Sequence, residues 1–366
     1  MTAEQKKNHV PLIHIAKRGS DSMTLKRSIL IRAIAIISAL IVSGLVIMIF
    51  AQKNPLDIYW SMIQGAFGTS RRVLNLCQGI AILLCISLAV TPAFKMRFWN
   101  CGAEGQALMG ALATVLVMIN LGGVLPLWAL VIVMLLASIV AGMIWAIIPA
   151  IFKAFWNTNE TLFTLMMNYI AIQVVGYFLK SYVKNGSGVL SPMDQYGFPK
   201  LFGQPYVVNI IVVAVLTVAV YIYLKYSKQG YEISVVGESE NTARYIGINV
   251  KKVIIRTLGV SGALAGITGL LLVAGTSHTI DTNTVGGQGF TAIMVSWLAK
   301  FDPMFMVLTS FLVVFLSKGS AQVSTDFRIP TSISDIVTGI ILFFIIGCEF
   351  FLQYKIVFNK KGKGER

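Results

Sequence analysis

Charge is what this sequence has least of. Only 12% of its 366 residues are charged, against 56% apolar, where a soluble domain carries roughly a quarter charged. So few charges cannot coat a water-facing surface on a chain of this length, which excludes a cytosolic enzyme and a disordered chain alike. Cysteine and histidine are also scarce, at four and three. Cys77, Cys85, Cys101 and Cys348 lie in or beside apolar segments without a CxxC pair, so buried free thiols are expected, not a disulfide scaffold or a metal set. His9, His14 and His278 are expected in tail or loop. No G-x-x-x-x-G-K-[ST], HExxH or G-x-S-x-G occurs, which removes phosphate-loop binding of ATP and the common hydrolytic sites. Acidic residues number 15 against 30 basic. Glu104, Glu160, Asp335 and Glu349 all fall near the ends of apolar runs, leaving no mid-membrane carboxylate for a coupling ion.

What the sequence does have is long apolar runs. Residues 31–51, 73–94, 106–121, 125–152, 161–180, 206–224, 253–275 and 332–353 each approach the ~20 residues a spanning helix needs. Two shorter runs, 290–299 and 304–318, are split by Lys300-Phe301-Asp302-Pro303. Seven Lys/Arg lie in the first 32 residues, six from Lys225 to Arg256 and five after Gln353. These clusters flank apolar runs, as cytoplasmic segments do, and are not interleaved with aromatics as in nucleic-acid binders. Three inner clusters require an even number of crossings. Counting both short runs gives ten, with 22 basic residues inside and 8 outside.

The expectation is an all-α integral membrane protein of about ten spans with both termini cytoplasmic. Its parts are a basic tail 1–30, a membrane domain 31–353 with an inner loop at 225–252, and a basic tail 354–366. The polar start is too long for a signal n-region and no cleavage site follows the first run, which is therefore expected to be retained. Outer loops are expected at 52–72, 181–205 and 276–288. In the first, Asp57-Ile58-Tyr59-Trp60 has the aromatics of an interfacial segment, and in the second Asn185-Gly186-Ser187-Gly188 supplies a flexible turn. Gly102-x-x-Gly105 opens the third span and Gly286-x-x-Gly289 the eighth. This predicts an inverted repeat of spans 2–5 and 7–10, with one glycine pair at the inner face and the other at the outer.

Three segments carry candidate chemistry. In Asn100-Cys-Gly102-Ala-Glu104-Gly105-Gln106 the glycines permit a tight, non-helical backbone, and Glu104 near the membrane needs a partner or water. In Glu160-Thr161-Leu-Phe-Thr164-Leu-Met-Met-Asn168, the residues Thr161, Thr164 and Asn168 share one helical face. Such a stripe either hydrogen-bonds a neighbouring helix or lines a wet pathway. The inner loop from Gly230 through Glu232, Gly237, Glu238, Arg244, Tyr245 and Gly247 is either a solvated connector or a docking element. For the latter, Asn241 or Thr242 would cap a short helix ended by Gly247, presenting Tyr245 and Ile248 as a knob.

At these segments the chain resembles a known family. NCGAEGQALMGA is similar to the N-x-G-x-E-G-Q signature of permease subunits of ABC importers for sugars, nucleosides and branched-chain amino acids. ETLFTLMMNYIA, GYEISVVGESENTARYIGI, GVSGALAGITGLLL, GGQGFTAIMVSWLAKFDP and GAFG resemble further family segments, covering most of residues 53–350 in order. Cys101, Thr161 and Thr242 depart from the pattern, and Ser239-Glu240 stands where Asn-Pro is usual. The resemblance implies a non-catalytic subunit of an ATP-driven importer in a bacterial plasma membrane. It also implies a second permease, cytoplasmic ATPases that dock near 238–247 and use the ATP, and an extracellular binding lipoprotein. No cofactor is implied for this chain, and Gln288 joins the signature and stripe residues as a pathway candidate. The long basic N-terminus resembles the larger permease of nucleoside systems. Ribose or another simple sugar is the alternative cargo, and an ion-coupled secondary carrier the alternative class.

Overall fold

The computed structural model describes residues 13–17, 25–183, 190–201, 203–204 and 206–358. The turn expected at 185–188, most of the N-terminal tail and residues 359–366 lie outside them. The described chain is almost wholly helical. In order it forms α1 (Leu25–Val46, continued by a π-helical turn Ile47–Ala51), α2 (Pro55–Phe67), α3 (Ser70–Lys95), α4 (Ala103–Leu121), α5 (Leu127–Trp156) and α6 (Glu160–Tyr182). Then come α7 (Val207–Tyr226), α8 (Lys228–Glu238), α9 (Glu240–Tyr245), α10 (Val250–Leu272, with a π-helical turn Val273–Ser277), α11 (Gln288–Leu298), α12 (Pro303–Phe327) and α13 (Thr331–Gln353). Among the described residues nine helices are long and apolar enough to cross a membrane. The chain is therefore a multi-span, all-α membrane protein.

Two compact units make up the chain. One is residues 67–315, the other residues 1–66 with 316–366. In the larger unit α10 is the central element, with seventeen buried residues, packed on α3, α4 and α5. Small residues let these backbones touch. A Cβ on Gly110 would lie 2.5 Å from Gly266 Cα, and one on Gly266 would collide with the Ser138 carbonyl. Close approach of this kind replaces the hydrophobic drive that water would supply to a soluble bundle.

In the smaller unit α1 packs along α13, and α2 lays Ile58 and Met62 against the last turns of α12. Ser61 Oγ donates to Asp326 Oδ2 at 2.6 Å. Each tail contributes a strand. Ile13–Lys17 (β1) pairs antiparallel with Tyr354–Phe358 (β2), Ile13 opposite Phe358; both segments are rich in the β-branched and aromatic residues that favour strands. The ribbon ties the approach to α1 to the exit from α13, so the two helix ends lie on one side and the crossings are even in number.

Nine long helices would be odd, and the two runs 290–299 and 304–318 resolve the count. The second is longer than expected: α12 continues past Lys318 to Phe327, 25 residues in all. The first is only 11 residues long, about 16 Å at the helical rise. The chain nevertheless crosses here. Thr282 lies against Gly176 in the C-terminal third of α6, while Phe301 stacks on Phe94 at the end of α3 and Trp297 on Trp99, whose carbonyl accepts from Thr164 near the opposite end of α6. Residues 279–287, which run through turns and bends, followed by α11 thus make the eighth crossing. Half of it is not helix.

Candidate functional site

The site is built where that broken crossing meets the turn between α3 and α4. Asn100 is fully buried. Its Oδ1 accepts from Gly102 N (3.1 Å) and from Gln106 Nε2 (3.1 Å), and its Nδ2 donates to Ser261 Oγ on α10 (3.0 Å). Thr164 Oγ1 accepts from Cys101 N (3.2 Å), and Asn168 clasps the turn twice, donating to Cys101 O (2.8 Å) and accepting from Gly105 N (2.9 Å). Buried polar groups satisfied this fully hold one geometry, because each alternative leaves a donor or acceptor bare. Thr164 and Asn168 therefore fasten α6 to the signature turn. Thr161, half-buried one turn earlier, contributes only its carbonyl, to Thr164 Oγ1 (3.2 Å).

Glu104 closes the arrangement. Its Oε1 accepts from Gly287 N and its Oε2 from Gly289 N, both at 2.7 Å. A carboxylate bridging the free N–H groups at the start of α11 satisfies donors that a helix leaves open and meets the positive end of its dipole. The two glycine pairs consequently touch: a Cβ on Gly289 would stand 2.6 Å from Glu104 N. This corrects the expectation that they lie at opposite faces. Each opens a helix beginning inside the protein, and the two helix N-termini abut. A second correction concerns backbone form. Ala103, Glu104, Gly105 and Gln106 are already helical, Gly102 has φ −90°, and neither glycine of this pair has positive φ. Their role is space, since a Cβ on Gly105 would lie 2.9 Å from Asn168 Oδ1. Gln288, first residue of α11, is half-buried beside the glycines that bind Glu104.

Beside this knot, burial and then the charge of Glu160 push the Cys101 thiol up. Glu160 itself pairs with Lys153 at 2.9 Å, joining the ends of α5 and α6.

The inner loop folds into two helices. Ser227 caps α8, accepting from Gly230 N (3.0 Å), and Glu232 pairs with Arg256 of α10 at 2.9 Å. Gly237 lies against the Lys95 carbonyl with no room for a side chain, wedging α8 onto the end of α3. Ser239, not Asn241 or Thr242, caps α9, accepting from Thr242 N (3.2 Å). The departure at Ser239-Glu240 thus supplies the helix start, and Glu240 pairs with Arg244 one turn on at 3.3 Å. Gly247, at φ +85°, ends the element. Tyr245 is 92% exposed and Ile246 is exposed beside it; Ile248, expected in the knob, is half-buried with its N–H on Ala243 O (2.9 Å). A recess of about 180 Å³ flanked by Arg97, Lys153, Glu160, Glu238 and Glu240 borders it.

Arg256, Ser261 and Gly287 were not singled out from sequence, and Ser239 was noted only as a departure, not as the cap. Nothing in the sequence marks Ser261 as a partner of Asn100. Nothing local to Arg256 points to Glu232, 24 residues away.

The comparisons agree with this architecture. Residues 72–346 match the family described as branched-chain amino acid transport system / permease component. A glucose ABC transporter permease protein of Haloferax volcanii is 28% identical over 346 residues, 90% of each chain. The guanosine ABC transporter permease protein NupP of Bacillus subtilis is 28% identical over 87% of this chain and 92% of its own length. A second guanosine permease of that organism, NupQ, is 26% identical over 56% of this chain and 67% of its own. This chain belongs to the branched-chain amino acid transport system permease family and is an ABC-type membrane permease.

Proposed function

We propose that the chain is one of two unlike permease subunits of an ATP-driven importer for nucleosides. The observation that carries the reading is the α8–α9 element. It is locked to the bundle by Gly237 on Lys95 O and by Glu232 on Arg256, yet presents Tyr245 and Ile246 to solvent. Rigid attachment with an exposed aromatic anchor is what a relay for force from an outside motor needs. Separate cytoplasmic ATPases dock there and hydrolyse the ATP, and this chain binds no cofactor of its own. A binding lipoprotein delivers solute from the other side. Basic clusters near both ends favour a cytoplasmic location for both termini, in a bacterial cell.

The paired guanosine permeases of Bacillus subtilis favour an unlike partner and a nucleoside cargo. The glucose permease relative favours a simple sugar as the second reading. Uptake of labelled guanosine, uridine and ribose by cells expressing the complete transporter separates them. Saturable nucleoside uptake not competed by ribose supports the proposal, and ribose uptake alone moves the cargo to sugars. An ion-coupled mechanism would show as uptake that persists without the ATPase and collapses with an ionophore.

A further inference from the structure

The non-helical half of the eighth crossing has a definite depth. Ile280 and Val285 are buried, while Asp281, Thr282 and Asn283 are exposed. A Cβ on Gly176 of α6 would lie 3.7 Å from Thr282 Cγ2. With 1.5 Å of rise per residue, Gly176 stands about 24 Å along α6 and about 9 Å short of its end. Exposed polar backbone and side chains at such a depth are tolerated only against water or protein.

The neighbouring face of α6 has the same character. Tyr169, Gln173 and Tyr177, at i, i+4 and i+8, project from the bundle. The tyrosines are 70% and 76% exposed, and with Ile170 and Val174 the three form an open, shallow surface along one side of α6. Other outward faces look different. On α5 the exposed positions include Ile132, Leu136, Val140 and Ile144, and on α7 Ile211, Val215, Val218 and Ile222, as contact with lipid tails requires. A phenol at 169 and an amide at 173, in the middle of the span, would lose their hydrogen bonds in lipid.

We infer that this face of α6, with Asp281, Thr282, Asn283 and Thr284, is the surface the solute touches in transit, and that it is built for a neutral solute bearing an aromatic ring and hydroxyls. The inference rests on the transport reading above and names the specificity-determining residues within it. Tyr169 and Tyr177 offer ring faces for a base to stack on, and Gln173 between them offers both a donor and an acceptor. The exposed polar groups at 281–283 are suited to sugar hydroxyls.

The test uses the complete transporter in membranes, with cysteine introduced singly as Tyr169→Cys, Gln173→Cys, Tyr177→Cys and, as a lipid-facing control, Val140→Cys. Reaction with a membrane-impermeant charged thiol reagent is read above the background of the natural cysteines. The α6 cysteines are expected to react, Val140→Cys to stay at background, and a nucleoside, but not ribose, to slow labelling at 173 and 177 at least threefold. Independently, Gln173→Leu and Tyr177→Leu are expected to raise the uptake KM about tenfold at unchanged membrane abundance, with Tyr177→Phe close to the natural chain. Absent labelling would mean a face sealed by lipid or by the second permease and would overturn the inference. So would labelling that no nucleoside slows, or that ribose slows equally. If the unsubstituted transporter carries no nucleoside at all, the transport reading fails first; if it does while 173 is neither labelled nor protected, only this assignment fails.

Discussion

Two regions of the molecule, the turn at 100–106 and the element at 228–247, are both polar interruptions of an apolar chain, and they are built in opposite ways. In the first, the polar groups of Asn100, Glu104, Gln106, Thr164 and Asn168 all have partners, and the turn is buried against α6, α10 and α11. In the second, Gly230, Ile233, Val236, Gly237 and Ala243 are buried against the protein and Glu232 is tied to it by Arg256, while Tyr245 and Ile246 face outward. The contrast separates what a transporter must hold still from what it must offer to something else. A buried network resists deformation because loosening it strands desolvated groups. An exposed anchor on a short capped helix costs the fold little and leaves its apolar surface free for a partner.

Substitutions should break the first region by unfolding it and the second without touching stability. The largest effect is expected from Gly266→Leu, which forces a side chain into the Ser138 backbone. It should cost more than about 3 kcal/mol and appear as loss of folded protein from detergent extracts. Glu104→Ala strands the Gly287 and Gly289 N–H groups and is expected to cost about 2–4 kcal/mol, read as a lowered Tm and a faster protease cut between residues 279 and 290. Asn168→Leu removes two hydrogen bonds at the same turn, about 1–3 kcal/mol. It should loosen α6 from α4, measured as faster hydrogen exchange at Cys101 and Gly105. Tyr245→Ala closes the series. It is expected to move stability by under about 0.5 kcal/mol while lowering ATP-driven uptake several-fold; an equal loss of Tm would show that the element is structural only.

The sequence made the spans legible wherever apolar residues ran for a full helix, and the short helix before Gly247 was visible from its glycine stop. Periodicity could not reveal tertiary partners. The two glycine pairs look alike in sequence, but only the fold shows that Glu104 reaches across to cap the second, because their contact joins positions more than 180 residues apart. The stripe of Thr164 and Asn168 left packing and pathway open, and the structure places both residues in packing. The polar face of α6 that projects outward, Tyr169–Gln173–Tyr177, is one helical position around from it. Lys318, read from composition as a span end, lies inside α12 because a single lysine in a 25-residue helix does not stop it.

The central claim is that this chain is a conduit moved by a separate motor through the α8–α9 element. It is tested most directly by reconstituting the two permeases into vesicles with and without the ATPase and measuring nucleoside accumulation against its gradient. Accumulation should require both the ATPase and ATP, and should disappear in Arg244→Glu chains that still insert and fold. Uphill accumulation without the ATPase, or unimpaired accumulation with α9 disrupted, would contradict the account.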